Sequence, residues 1–331
     1  MLNLEIYPNH KIFDKDPGQE ALRDGYGKGL LEAGKERNVV VLTADLEEST
    51  RCQWFKKVYP ERFIECGVAE QNMAAIAAGL GISGKIPFIN SYATFSPGRN
   101  WEQIRTTIAY NDAKVKIAGH HAGISTGPDG ATHQAIEDIA LMRSIPNMKV
   151  VVPCDAEEAR KATLASVFIW GPVYLRLARE KTPLLTTPET PFVFGKSYPL
   201  WISKGKTLDV AIIGAGPLLY NALLAAKELE NQKIKSVVVN LHTIKPLDKK
   251  AIVDWAKKAK AVVTVEEHNV LGGVGSAVAE VLAQEYPVPM EFVGIKDVFG
   301  QSGKIYELWK KYHLDVKDII LATKKVLKRK L

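Results

Sequence analysis

Short apolar runs rich in Val and Ile, bounded by Gly, Pro or polar residues, alternate with stretches of helical period along most of the chain. The runs at 39–43, 86–90, 115–118, 149–152 and 173–176 predict buried strands. Between them the spacing predicts helices over 18–37, 70–81, 99–112, 131–143 and 156–169. A strand that is apolar at every position has both faces covered. Alternation of this kind therefore implies a mostly parallel sheet with helices on each side. The pattern lapses from 180 to 206, where Pro183, Pro188, Pro191 and Pro199 crowd together. A second series follows, with strands predicted at 209–214, 236–240, 261–266 and 291–295. The expected architecture is α/β, two doubly wound domains over 1–190 and 207–331 joined by a linker at 191–206.

Composition changes this picture little. A chain of 331 residues exceeds one domain of about 150 residues, which agrees with two. No run reaches the ~18 apolar residues that span a membrane, and residues 1–10 carry Asn, Glu and Pro where a signal peptide is apolar. Cys52, Cys66 and Cys154 are odd in number and widely spaced, which argues against a disulfide framework or a zinc site and for a reducing cytoplasm. The net charge of +7 suggests a polyanion partner until it is located. Five of the 44 basic residues (Lys324, Lys325, Lys328, Arg329 and Lys330) end the chain, and the other 39 face 37 acidic ones. A basic end suits the negative pole of a terminal helix, so we expect a solvated tail and no nucleic acid partner.

Several motifs have bland readings. Gly214-Ala215-Gly216 follows a strand and opens a helix, but Leu219 replaces the third glycine of a dinucleotide fingerprint and no acid ends the next strand. Gly272-Gly273-Val274-Gly275-Ser276 could cradle an anion or simply turn the chain, and Glu266 and Glu267 read as a solvated strand tip. The stretch around Glu70 is more specific. It places an acid at the start of a helix of small residues, Ala74, Ala75, Ala77, Ala78 and Gly79, which packs closely against another backbone. Glu70 is therefore expected to be buried, where a carboxylate holds its proton more readily. Between His120 and His133 lie three of the chain's seven histidines, on a glycine-rich loop with Asp129. Imidazoles and a carboxylate suggest zinc, yet no pair has the i, i+4 spacing of a metallohydrolase, and a loop rich in uncharged donors suits a polyhydroxylated substrate.

Ala44-Asp45-Leu46, Gly67-x-x-Glu70, Thr94-Phe95, Gly127-x-Asp129-Gly130-x-Thr132-His133-Gln134 and Arg176-x-x-Arg179 occur in that order. Together they resemble the second half of transketolase, its pyrimidine-binding domain followed by its C-terminal domain, over nearly the whole chain. The stretch from Glu266 to Ser276 is similar to that C-terminal domain. Two departures stand out: Pro128 where an acid is common, and Ser96-Pro97-Gly98 within a usually aromatic run.

The resemblance implies a thiamine-diphosphate enzyme that moves a two-carbon ketol unit from a ketose phosphate to an aldose phosphate. It makes Glu70 the catalytic acid at the aminopyrimidine nitrogen, with Asp45, Phe95 and Trp101 lining the cofactor and no metal ligand on this chain. His133 and Asp129 would bond substrate hydroxyls, His133 also counting as catalytic. Arg23, Ser49, His121 and Arg179 would hold the sugar phosphate, for which a guanidinium fork is suited. The family binds diphosphate and Mg2+ through a Gly-Asp-Gly motif, which this sequence lacks. A partner subunit carrying the N-terminal half is thus expected, with self-association besides. A 1-deoxy-xylulose-5-phosphate synthase-like half is the alternative, although His121 stands where that enzyme has arginine. A non-catalytic assembly subunit is a further one.

Overall fold

The computed structural model describes residues 1–205 and 207–330. Lys206, the last residue of the expected linker, and Leu331, the last of the expected second domain, lie outside the described residues. The first sheet has seven strands in the order Thr243–Lys245, Lys149–Val151, Val173–Leu177, Lys116–His120, Ile86–Tyr92, Val39–Thr43 and Phe63–Glu65. All neighbours are parallel except the edge strand Thr243–Lys245. The second sheet has five: Met290–Ile295, Val262–Asn269, Val210–Gly214, Ser236–Asn240 and Tyr198–Ile202, of which only the last is antiparallel. Val39–Thr43, Val173–Leu177, Val210–Gly214 and Ser236–Asn240 are buried at every position, as strands covered on both faces must be.

Helices Leu22–Ala33 and Ala156–Phe168 cover one face of the first sheet together. Their backbones nearly touch, because a Cβ on Gly25 would lie 1.8 Å from the Ala156 carbonyl oxygen. Asp155 caps the second of them, accepting from the Glu158 amide at 2.8 Å while its other oxygen takes the Leu185 and Thr186 amides at 2.6 Å.

Local period misjudged three elements. Residues 19–21 form a strand, Gln19–Ala21, antiparallel to Lys181–Pro183, and only Leu22–Ala33 is helical. Over 99–112 one turn of α-helix, Trp101–Gln103, gives way to a π-helix, Ile104–Ala109. Of 131–143 only Asp138–Arg143 is helical, since Ala135 pairs with Ala122 and the Ile136 carbonyl accepts from Asn269.

Glu266 and Glu267 are not a solvated tip. Both are buried, and burial pushes each carboxyl up to about 7. Glu266 accepts from the Val274 amide at 2.6 Å and the Gly275 amide at 2.9 Å, so the glycine-rich helix start is filled by the chain's own acid. The basic tail is partly anchored: Lys325 and Arg329 pair with Glu291 at 2.8 and 2.7 Å.

One strand crosses between the two sheets. Thr243–Lys245, from between two strands of the second sheet, closes the edge of the first, while Tyr198–Ile202, within the expected linker, closes the second. Leu2 bridges to Trp201 as well. A buried polar cluster spans the junction, with Asn240 Nδ2 donating to Glu158 at 2.7 Å and the Tyr198 hydroxyl donating to the same oxygen at 2.5 Å. Separating the domains would expose ladder edges and these polar groups together. Calorimetry is expected to show one cooperative unfolding transition, whose van't Hoff and calorimetric enthalpies agree; two resolved transitions would show that the junction does not couple the domains.

Candidate active site

Parallel strands all point their carboxyl ends to one edge, where connecting loops gather. Adjacent strands of the first sheet deliver Glu65, Asp45, Phe95, His121 and Arg179 to that edge in turn. Asp45 sits exposed in the left-handed region at φ 58°, and its amide donates to Glu65 Oε1 at 2.9 Å. The same oxygen takes the Gly67 amide at 2.8 Å, tying the Asp45 turn to the approach to Glu70.

Glu70 opens the helix Glu70–Ile82 and is 1% exposed, as its run of small residues predicts. Asn100 Nδ2 donates to its backbone carbonyl at 3.1 Å, and Arg99 Nη1 lies 2.6 Å from its Oε2. The Arg99 guanidinium rests over the Phe95 ring, 4.7 Å from its centre. A flat group bearing N–H donors is thus laid on Phe95 and bonded to Glu70. An aminopyrimidine needs these same two contacts, an aromatic face and a carboxyl at its ring nitrogen, so the residues fit the group.

Around Phe95 lies an aromatic cluster. Tyr92 stacks on it with centroids 6.0 Å apart, His133 meets it edge-on at 5.5 Å, and Tyr92 touches His121 at 4.0 Å. Thr132 Oγ1 is bonded to His133 Nδ1 at 2.9 Å and orients that ring. Trp101 is not among these rings. Its indole N–H donates to the Leu141 carbonyl at 3.1 Å and its body packs on the core.

The expected anion site also assembles. Arg23 Nη1 donates to the Ser49 carbonyl at 3.3 Å and to His121 Nε2 at 3.4 Å, which brings Ser49 and His121 together at this cation. Arg179 Nη1 donates to the Thr126 carbonyl at 3.0 Å, and its Nη2 stands 3.9 Å from Asp129. Burial, then His120 and the guanidiniums of Arg23, Arg179 and Arg51, push the His121 imidazole down to about 2. His121 is therefore neutral, and with Nε2 accepting from Arg23 its proton sits on Nδ1. That Nδ1 and Arg23 Nε are buried without a partner among the described residues. Cationic and neutral donors left unspent in a buried cluster are what an anion satisfies.

The comparisons bear on this geometry. Residues 19–183 match the transketolase pyrimidine-binding domain and residues 202–319 the transketolase C-terminal domain. A putative transketolase C-terminal section from Methanocaldococcus jannaschii is 45% identical over 307 residues, 91% of this chain and 94% of that protein. The chain belongs to the transketolase family. Its similarity extends to the 6-deoxy-6-sulfo-D-fructose transketolase subunit SqwH of Clostridium sp. (strain MSTE9), 41% identical over 93% of this chain and 95% of that one. Among solved structures, a split-gene transketolase described as an inactive beta4 tetramer superposes with a TM-score of 0.86 at 45% identity, covering 95% of this chain and all of that one. As a transketolase-family chain it has the fold expected from its strand-helix alternation, and the family is one of transferases that use thiamine diphosphate.

Sequence reasoning missed Tyr92, Arg99 and Arg51. Tyr92 and Arg99 flank Phe95 by three and four residues, a spacing that could have marked them. Arg51 shows no local signal. It reaches the cluster by pairing with Asp24 at 2.6 Å.

Proposed function

We propose that this chain is the subunit of a split transketolase that carries the pyrimidine-binding and C-terminal domains, moving a two-carbon ketol unit between sugar phosphates with an N-terminal-half partner. What supports the reading most is one observation: the Glu70–Phe95 pair and the Arg23–His121–Arg179 anion cluster stand at the same sheet edge, joined by Tyr92. Bound thiamine diphosphate supplies the nucleophilic carbon that takes up and passes on the two-carbon unit. Glu70 holds a proton at the pyrimidine nitrogen, Phe95 gives that ring its apolar face, and Asp45 lines the cofactor. His133 and Asp129 bond sugar hydroxyls, and Arg23, Arg179 and His121 fix the distal anion. Diphosphate and Mg2+ belong to the partner in this reading, and copies of the chain also associate with each other. Three cysteines without disulfides suit a reducing cytoplasm. Pentose phosphates are the substrates proposed first.

A sulfonated sugar is the second reading, favoured by the similarity to SqwH and by an anion cluster that does not depend on an ionised imidazole. Calorimetry tests the division of labour: thiamine diphosphate with Mg2+ is expected to bind tightly only once the N-terminal-half chain is added. Micromolar, magnesium-dependent binding to the lone chain would overturn it.

A further inference from the structure

The loop that carries His121, Asp129 and His133 is held by its own hydrogen bonds, among them the Gly123 amide to the Ala135 carbonyl at 2.7 Å and Thr126 Oγ1 to the Gly123 carbonyl at 3.0 Å, and by ties from outside it. Gly123, Gly127 and Gly130 all sit at positive φ, at 83°, 72° and 78°, where the chain is permissive rather than rigid. One of the outside ties comes from the other domain. Strand Val262–Asn269 buries Glu267 beneath the loop, and Glu267 Oε1 accepts from the Ser125 amide. Gly123 is what admits that carboxylate, since a Cβ there would lie 2.8 Å from Oε1. The strand itself is pinned: Arg176 Nη2 donates to the Glu267 carbonyl at 2.9 Å while its Nε holds Asp138 at 2.8 Å. A second tie is Gln134, whose Nε2 donates to Ile124 at 3.0 Å within the loop and to Gln301 at 2.9 Å across the junction.

We propose that Glu267 is a positioning residue for sugar recognition, by which the C-terminal domain sets the geometry of a loop belonging to the pyrimidine-binding domain. It touches no substrate. It fixes the Ser125 amide, one of the ties, beside Arg179 at the Thr126 carbonyl and Gln134 at the Ile124 carbonyl, that set where the loop places Asp129 and His133. Misplacement by about 1 Å at such groups is costly to a reaction that depends on alignment. The inference rests on the reading of this loop as the sugar site, and the experiment separates the two.

Two measurements are made on Glu267→Ala and Glu267→Gln. On the lone chain, hydrogen–deuterium exchange is expected to quicken on the order of tenfold across residues 123–134 in Glu267→Ala, the loss of one buried acceptor, and to stay near wild type in Glu267→Gln, whose amide oxygen still accepts. In the two-subunit complex, the KM for a sugar phosphate should rise by a similar factor in Glu267→Ala, with half-saturation by thiamine diphosphate unchanged, and be rescued in Glu267→Gln. Glu267→Asp keeps the carboxyl but not the reach, and should show the same quickened exchange and raised KM, which keeps the test open where Glu267→Ala does not fold. Wild-type exchange in Glu267→Ala and Glu267→Asp, no rescue by Gln, or an equal loss of cofactor saturation would overturn the inference. A wild-type complex without transferase activity would sink the proposed function and leave the exchange measurement to decide the role of Glu267.

Discussion

Glu70→Gln, combined with the partner subunit, is expected to turn over ~10²–10⁴ times more slowly than wild type, the range for removing a positioned acid or base. The substitution is nearly isosteric, and the half-exposed Arg99 can turn to solvent when its partner loses charge, so the fold persists. Cofactor affinity should change little, because it depends mainly on diphosphate contacts assigned to the partner. A glutamine would still bond a ring nitrogen but could neither give nor take the proton in the role proposed for Glu70. Exchange of the thiazolium proton, followed by NMR, should therefore slow in step with turnover. If Glu70 only complemented its helix, the variant would lose ~0.3–1 kcal/mol of stability and exchange that proton at the wild-type rate.

Arg179→Ala has the second largest effect. It should raise KM for phosphorylated acceptors roughly tenfold to a hundredfold, as one charge-assisted contact worth ~1.5–3 kcal/mol is lost, and leave unphosphorylated acceptors nearly untouched. Arg179 also holds the Thr126 carbonyl, so an equal loss on both acceptors would assign it a structural part instead. The pH dependence follows from His121. Its imidazole, pushed down to about 2, stays neutral from pH 5 to 8 and contributes no titration there. A phosphate monoester gains its second charge near pH ~6. KM should thus fall as pH rises through 6 and flatten above 7. An imidazole of ordinary pKa would act in the opposite sense, losing its charge and its hold on the anion over that range. A sulfonated acceptor, singly charged throughout, should show no such dependence.

The strands were legible where residues are apolar at every position: Val39–Thr43 and Ser236–Asn240 match their expected bounds. Glu70 was legible too, because a helix of alanines announces close packing. What local pattern hides is a partner distant in sequence. Gln19–Ala21 carries helical period and is drawn into a strand by Lys181–Pro183, more than 150 residues away. Residues 131–137 are held out of a helix by Ala122 and Asn269. Glu266 and Glu267 look like surface acids, and only the fold shows that helix-start amides and a loop from the other domain require them. Trp101, which the resemblance places beside the cofactor, donates its N–H to the Leu141 carbonyl, a contact no local pattern announces.

The lending of the edge strand Thr243–Lys245 also bears on motion. Domains joined by a single flexible segment can swing as a hinge, opening and closing a cleft between them. Here Thr243–Lys245, flanked along the chain by two strands of the second sheet, is hydrogen-bonded to Lys149–Val151 of the first. A swing would have to break a backbone ladder, which side-chain rearrangement cannot absorb. The ladder thus opposes a hinge swing between the two domains.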